Sequence, residues 1–364
     1  MKKVLIIINS LGGLYSFRRE LIERLIREGF SIVISAPNNE RARFFIDLGC
    51  KYIETYVEGR STNPVIDFKL FLKYMSIIKE EKPDIVLTYT IKPNVYGGLA
   101  CRILGIPHMA NITGLGTAVE NEGILQKITL SLYKIGLKKS KVVFFQNSEN
   151  MEFMQSNNLG KENGILIPGS GVNLNHYSLL EYPNEEEVNF LFIGRVMKEK
   201  GIDQYIKSAE EISKRYPNTR FHVIGSCEES YLEKLNKHQE NGVLIYHGRQ
   251  EDVREFHKIS HCTIHPTYYP EGMSNVLLES AASGRPIITT NRSGCREIVD
   301  DGINGYIVEQ QNSEDLVEKI EKFIKLSYED KKEMGLAGRR KVEEKFDRRI
   351  VVDVYLDEIN KIFC

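Results

Sequence analysis

The stretch VNFLFIGRVMKEKGIDQYIKSAEEI, residues 188–212, is the one whose reading decides the fold. Val188–Ile193 is an apolar run of strand length, as expected of a parallel strand covered on both faces. Gly194 turns the chain, and a helix begins at about Ile202. The same succession opens the protein. Val4–Ile8 is continuously apolar and rich in β-branched residues, the turn NSLGGLYS (9–16) follows, and Phe17, Leu21, Ile22, Leu25 and Ile26 recur at helical spacing, with Ser16 available as N-cap and Gly29 as the stop. A strand, a glycine turn and a helix that begin the chain and begin again at its middle predict two α/β domains.

Further short apolar runs at 31–35, 85–88, 108–112, 142–145 and 165–167 complete a doubly wound sheet in the first half. Runs at 221–224, 243–246, 262–265, 287–290 and 306–308 complete a second one. The expected domains are 1–172 and 173–347, joined by PGSGVNLNHYSLLEYPNEEE (168–187), which has linker composition. At about 150 residues per domain, a chain of 364 residues also suggests two. A final helix from about 348 to 364 carries Ile350, Val351, Val354, Tyr355, Ile359 and Ile362, an apolar stripe that needs a cover. Ligands in such sheets bind outside the C-terminal ends of the strands, so the cleft between the domains is the expected site.

With 49 basic and 50 acidic residues and a pI near 6.7, no global field exists to hold nucleic acid, and any polyanion site must be local. The six cysteines, Cys50, Cys101, Cys227, Cys262, Cys295 and Cys364, are scattered without a CxxC, as packing residues of a reduced, cytosolic protein would be. The opening KKVLIII reads as a strand, because its apolar run is too short for a signal peptide and no cleavage-like site follows. No apolar run reaches the ~18 residues that a membrane span needs.

The chemistry concentrates at two strand ends of the second half. GRVMKEKG (194–201) lies where a strand gives way to a helix, a place that favours anions, and adds Arg195 and Lys200. A planar guanidinium fork and a mobile ammonium are what a diphosphate needs. Some 70 residues on, HPTYYPEGMSNVLLESAASGRPIITT (265–290) places Glu271 outside a helix and Glu279 within it, among Val276, Leu277, Leu278, Ala281 and Ala282. Gly272 permits close approach, the amides of Met273, Ser274 and Asn275 can hold sugar hydroxyls or a phosphate, and a buried Glu279 can accept two hydrogen bonds from a ribose diol.

An Arg-Lys pair and a Glu-x7-Glu pair on adjacent strand ends are the pattern of the GT-B glycosyltransferases of family 4, which the chain resembles over almost its whole length. The segment PEGMSNVLLESAASGRPIITTNRSGCREIVDDGINGYIV (270–308) looks like that family's donor-binding signature. The resemblance implies two Rossmann-like domains facing across a cleft, with the last helix crossing back onto the first. It also implies a retaining transferase that uses a nucleotide-activated sugar, most often UDP-linked, without an essential metal or cofactor. Glu271 would then contact the donor sugar near its 3- and 4-hydroxyls and Glu279 the ribose, while Arg195 and Lys200 stabilise the departing diphosphate. Gly12 or Gly13 would let the diphosphate approach from the first domain. No Asp-x-Asp occurs in the chain, so the carboxylate pair that other transferases use to hold a metal is missing.

One departure concerns the histidine that many members place at a first-domain strand end. Here PHMANITGLGTAVENEG (107–123) offers Asn111 and Thr113 for its contact with the transferred sugar, because His108 comes too early. ITGLGTA resembles variants among bacterial capsule, O-antigen and lipid-linked glycan enzymes, which implies a polyprenyl-diphosphate-linked saccharide as acceptor. Two other functions fit the architecture: an epimerase acting on UDP-N-acetylglucosamine without an acceptor, and a nucleotide-sugar-binding partner without catalysis. A nicotinamide enzyme does not fit, since the second strand ends SAPNN (35–39) with no acidic residue for the cofactor ribose. His261 and His265 stand ~13 Å apart on one strand, too far to share a metal, and read as core or surface histidines.

Gly123–Lys141 interleaves Leu125, Ile128, Leu132 and Ile135 with Lys127, Lys134, Lys138, Lys139 and Lys141. The expectation is that the apolar stripe packs inward and the lysines face an anionic membrane surface, which places the protein at the cytoplasmic side of the cell membrane.

Overall fold

The computed structural model describes residues 1–58, 63–120 and 122–363; Cys364, counted above among the packing cysteines, lies outside them. The chain forms two compact units, Met1–Ser170 with the segment from Arg348 onward, and Gly171–Asp347.

The first unit holds β1 (Lys3–Ile7), β2 (Ser31–Ala36), β3 (Lys51–Glu54), β4 (Ile85–Tyr89), β5 (His108–Ile112), β6 (Val142–Phe145) and β7 (Gly164–Leu166). All pair in parallel in the order β3-β2-β1-β4-β5-β6-β7, so the winding reverses between β1 and β4. β3 escaped the sequence reading because KYIE is a half-exposed edge strand with no apolar run. The first helix, Leu11–Arg27, starts earlier than expected. Ser10, not Ser16, caps it by accepting from the Gly13 amide at 3.1 Å, so Gly12 and Gly13 lie in its first turn and Ser16 lies inside it.

The last helix, Arg348–Phe363, belongs to this unit. Val351, Val352, Tyr355, Leu356 and Ile359 share a core with Leu14, Leu21 and Leu25 of the first helix. Arg348 locks the start of the helix by donating to both carboxylate oxygens of Glu20, at 3.0 and 2.9 Å, and to the Ser16 carbonyl.

The second unit holds β8 (Val188–Ile193), β9 (Thr219–Ile224), β10 (Ile245–Tyr246), β11 (Cys262–His265), β12 (Ile287–Thr290) and β13 (Gly305–Val308). Their order, β10-β9-β8-β11-β12-β13, repeats that of the first six strands of the other sheet. The winding reverses between β8 and β11, and their C-terminal ends form the switch point of this unit.

Two expectations about the connection are corrected. The boundary falls after Ser170 rather than after 172, because the Val172 amide donates to the Phe346 carbonyl at 2.8 Å and its side chain is buried with Leu277 and Leu278. The segment of linker composition is bound to the second unit. Arg285, fully buried, donates to the carbonyls of Glu181 at 2.6 Å and His257 at 2.7 Å. Tyr182 is buried and donates to the His261 carbonyl. Composition reads the polar residues of this strap and misses the guanidinium beneath it.

Candidate functional site

Because β8 and β11 are neighbours, pairing Cys262 with Phe190 and Thr263 with Leu191, the loops that leave them run side by side. The β8 loop passes Arg195, makes one 3-10 turn at Lys198–Lys200 and enters the helix Ile202–Arg215. The Glu199 carbonyl takes the Tyr268 amide at 2.9 Å and the Thr267 hydroxyl at 3.3 Å. Gly201 makes this contact possible: its φ is +77°, and a Cβ there would sit 2.0 Å from the Pro266 carbonyl oxygen. Gly201→Ala is therefore expected to destabilise the protein by more than ~1 kcal/mol. Thermal melts test this, and a variant with unchanged melting would show that the two loops do not depend on this close approach.

The stapling brings Lys200 directly onto Oε1 of Glu271, with side chains 13% and 17% exposed. Nε2 of His265 lies 3.9 Å from the same oxygen, too far for a hydrogen bond, and neither His265 ring nitrogen has a hydrogen-bond partner. Tyr269 completes the group. Its ring centroid lies 5.1 Å from the Lys200 ammonium and 5.8 Å from the Arg195 guanidinium, so one aromatic face serves both cations. Sequence reasoning found Arg195, Lys200 and Glu271 but missed Tyr269, and it read His265 as an ordinary histidine. The available signal for both was their place in the seven residues that close β11 and end at Glu271.

Burial alone would raise the Glu271 carboxyl, but Lys200 and His265 outweigh it and hold the group at about 2. Burial, reinforced by Lys200, lowers His265 against the opposing pull of Glu271. At neutral pH Glu271 is thus a carboxylate and His265 an uncharged imidazole.

The chain from Gly272 to Asn275 leads into the helix Asn275–Ala282 beneath the loop after β12. The Ser274 amide donates to the Gly294 carbonyl at 2.8 Å, so this amide, a candidate ligand donor in the sequence, is already taken. Gly272, Met273 and Asn275 border the same turn. Glu279 is half-buried rather than buried: Leu277, Leu278, Ala281 and Ala282 occupy the core side of the helix, and Val276 and Glu279 fall on its other side.

In the first unit, a Cβ at Gly12 would meet nothing within 4 Å, and one at Gly13 would meet the Ser10 hydroxyl at 3.2 Å. Packing therefore does not demand a glycine at 12. Asn111 is 1% exposed, donates its amide to the Tyr355 hydroxyl and accepts from Gln146, which ties it to the last helix rather than to the surface. Thr113, past the end of β5, is half-exposed. His108 is a core histidine between the hydroxyls of Thr88 at 2.7 Å and Ser140 at 2.9 Å, and burial lowers it to about 3. Among the described residues no three of His, Cys, Asp and Glu cluster as metal ligands would.

The helix Ile124–Leu137 reverses an expectation. Thr129, Tyr133, Gly136 and Leu137 face inward, whereas Leu125, Ile128 and Ile135 are 50%, 52% and 40% exposed. Gly136 sets the orientation, since a Cβ there would come within 2.6 Å of the Asn94 carbonyl oxygen. The close backbone approach uses the small residue and leaves Leu125, Ile128 and Ile135 outside, while Leu132, the fourth residue of the expected stripe, packs partly against the core.

Residues 181–341 match the family model "Glycosyl transferases group 1" and residues 3–147 the model "Glycosyl transferase 4-like". The capsular polysaccharide biosynthesis glycosyltransferase CapM of Staphylococcus aureus is 31% identical, over 78% of this chain and 78% of its own. The chain belongs to this family of glycosyltransferases. The N,N'-diacetylbacillosaminyl-diphospho-undecaprenol alpha-1,3-N-acetylgalactosaminyltransferase of Campylobacter jejuni is similar to the glycosyltransferase at 27% identity over 96% of both chains. Among solved structures, Anabaena Alr3699/HepE in complex with UDP and glucose superposes with a TM-score of 0.82 at 14% identity, covering 99% of this chain and 100% of that one, and shares the GT-B fold. Membership of a transferase family displaces the two other functions the architecture allowed, an epimerase and a binding partner without catalysis.

Proposed function

We propose that the glycosyltransferase moves a hexose or N-acetylhexosamine from a UDP-sugar to a polyprenyl-diphosphate-linked saccharide, with retention at the anomeric carbon. The observation that carries the donor half is the meeting of Lys200, Arg195 and Tyr269 with Glu271 at the switch point of the second sheet. Two cations beside one carboxylate suit a ligand with a diphosphate at one end and sugar hydroxyls at the other. Glu271 accepts hydrogen bonds from the sugar, Glu279 accepts from the ribose, and the turn at Gly272, Met273 and Asn275 leaves room between them. As the bond from the anomeric carbon to the diphosphate oxygen breaks, its electron pair leaves with UDP, and Arg195 and Lys200 stabilise the added charge. In the same reading Gly12 and Gly13 let the diphosphate approach, although the Gly13 amide is itself spent on Ser10, and Thr113 rather than the buried Asn111 meets the sugar.

The acceptor half rests on the similarity to CapM and to the Campylobacter transferase, whose name specifies an undecaprenyl-diphosphate acceptor. Release of UDP from UDP-N-acetylgalactosamine, UDP-galactose, UDP-N-acetylglucosamine and UDP-glucose, with and without a lipid-diphosphate saccharide, tests both halves. Acceptor-dependent release from one donor supports the reading, and full activity on a soluble sugar with none on the lipid-linked one overturns the acceptor class.

Arg195→Ala and Lys200→Ala are each expected to weaken UDP binding and to lower turnover further, because the diphosphate becomes more negative as the bond breaks. If calorimetry finds UDP affinity unchanged in both, the diphosphate lies elsewhere. Metal independence follows from the same charges: Arg195 and Lys200 do the work of a divalent ion, so turnover should survive excess EDTA. A loss restored specifically by Mg²⁺ or Mn²⁺ would replace this mechanism with a metal-assisted one.

No described helix is long and apolar enough to cross a membrane. The reading gives the helix Ile124–Leu137 the task of meeting the lipid surface at its cytoplasmic side. Its outward stripe carries exposed Ile124, Leu125 and Ile128, and none of Lys127, Lys134, Lys138, Lys139 and Lys141 is ion-paired among the described residues.

A further inference from the structure

His265 raises a question that packing does not answer. It is fully buried, yet both ring nitrogens lack a hydrogen-bond partner, and such orphaned groups cost ~1–3 kcal/mol each in a protein interior. The last residue of a central strand in an apolar setting, beside Phe192, would be filled more stably by an aromatic hydrocarbon. Such an exception points to a role beyond stability. The ring lies 3.9 Å from the Glu271 oxygen that Lys200 holds, roughly one ångström beyond a hydrogen bond.

Lys200 cannot serve two anions at full strength. Without ligand its ammonium is on Glu271, and under the donor reading above, on which this inference rests, it must also neutralise a diphosphate. As the ammonium shifts toward phosphate, Glu271 loses counter-charge in a site where burial opposes its ionisation. A further donor that comes within reach would then keep the carboxylate aimed at the sugar hydroxyls it should hold. We propose that His265 is a positioning residue that donates its free imidazole N–H to Glu271 when the donor diphosphate draws Lys200 away.

The geometry favours this assignment in three respects. A neutral imidazole has one N–H to give, and although the Ile193 carbonyl lies near enough to act on the ring, neither ring nitrogen completes a hydrogen bond. The Thr289 hydroxyl binds the His265 carbonyl at 2.8 Å, so its backbone is fixed while the ring needs to shift only slightly. The five residues that connect His265 to Glu271 are stapled at Thr267 and Tyr268 to the Glu199 carbonyl, so the carboxylate is delivered to the ring by the same loop that delivers it to Lys200.

The test uses ¹⁵N-labelled full-length protein, with UDP as the probe, followed by the ring resonances of His265. UDP is expected to bring out an exchange-protected, downfield-shifted ring N–H that is missing from Glu271→Ala. In turnover, with the UDP-sugar that gives the highest rate, His265→Phe should lower kcat at least tenfold. Its UDP affinity should stay within about twofold and its melting temperature should not fall. His265→Asn should recover a substantial part of the rate, and His265→Phe should add nothing further in the Glu271→Ala background. UDP that binds without moving the His265 signal, or a His265→Phe enzyme within threefold of the parent, overturns the proposal alone. Absence of UDP binding in the parent protein overturns the donor reading and the proposal together. Equal losses in the Phe and Asn variants with a lowered melting temperature assign His265 to packing and overturn it as well.

Discussion

Glu271→Ala is expected to lower turnover at least ~100-fold while the protein stays folded, since under the proposed reading it removes the group that orients the sugar toward attack. Lys200 and His265 hold the Glu271 carboxyl near 2, so it is an acceptor only, at any pH an assay would use. Sugar hydroxyls give a carboxylate two strong hydrogen bonds in a fixed geometry, and a small displacement of the anomeric carbon is costly in rate. The same variant makes a second, opposite prediction. UDP lacks the sugar, and with alanine at 271 Lys200 no longer has to leave a carboxylate to reach phosphate. UDP should therefore bind Glu271→Ala at least as tightly as it binds the parent. Calorimetry with UDP, alongside steady-state turnover, separates the two effects. A loss of less than tenfold in turnover would remove Glu271 from the site, and UDP binding that falls with turnover would make it part of the diphosphate pocket. Glu271→Gln, which keeps the shape and loses the charge, should fall between the parent and alanine.

Most of the fold was legible because buried parallel strands are written as apolar runs. Val188–Ile193, Cys262–His265 and Ile287–Thr290 stand in the structure where the sequence places them, and their order brings Arg195, Lys200 and Glu271 to one switch point. Edge strand β3 was not legible, since a strand exposed along one side needs no such run. Nor was the strap at 171–187, whose polar residues are held by Arg285 from a position more than a hundred residues away. Within the site, the sequence named the charged groups and the residues of the turn after Glu271, and left out two rings. Tyr269 stands out by its ring beside two cations and His265 by its place 3.9 Å from Glu271, and such features appear only once distances are known. Asn111 shows the converse: a polar residue in a suggestive place whose hydrogen bonds are spent on Tyr355 and Gln146.

Lys134, Lys138, Lys139 and Lys141 replaced together by glutamate are expected to abolish binding to anionic vesicles while UDP affinity is retained. Each lysine near such a surface contributes ~1 kcal/mol, so losing four amounts to on the order of 1000-fold in partitioning before the added repulsion is counted. The orientation of the helix Ile124–Leu137 makes the effect larger than a basic edge alone would. With Thr129, Tyr133 and Gly136 turned to the core, Ile124, Leu125 and Ile128 face outward beside the lysines, at 79%, 50% and 52% exposure. Apolar insertion and charge then act on one face, and neither alone would hold a reversible attachment. Two measurements separate them. Raising the salt concentration should weaken vesicle binding of the parent protein through the charges, whereas Ile124→Ser with Leu125→Ser and Ile128→Ser should weaken it at any ionic strength. Under the proposed donor reading the charged groups that hold the diphosphate, Arg195 and Lys200, lie in the second unit, so calorimetry should find UDP affinity unaltered in both sets. Sedimentation with anionic vesicles that is the same for parent and four-glutamate protein would discard this face as the membrane contact, and an acceptor that is used equally well in detergent and in vesicles by both would discard the need for one.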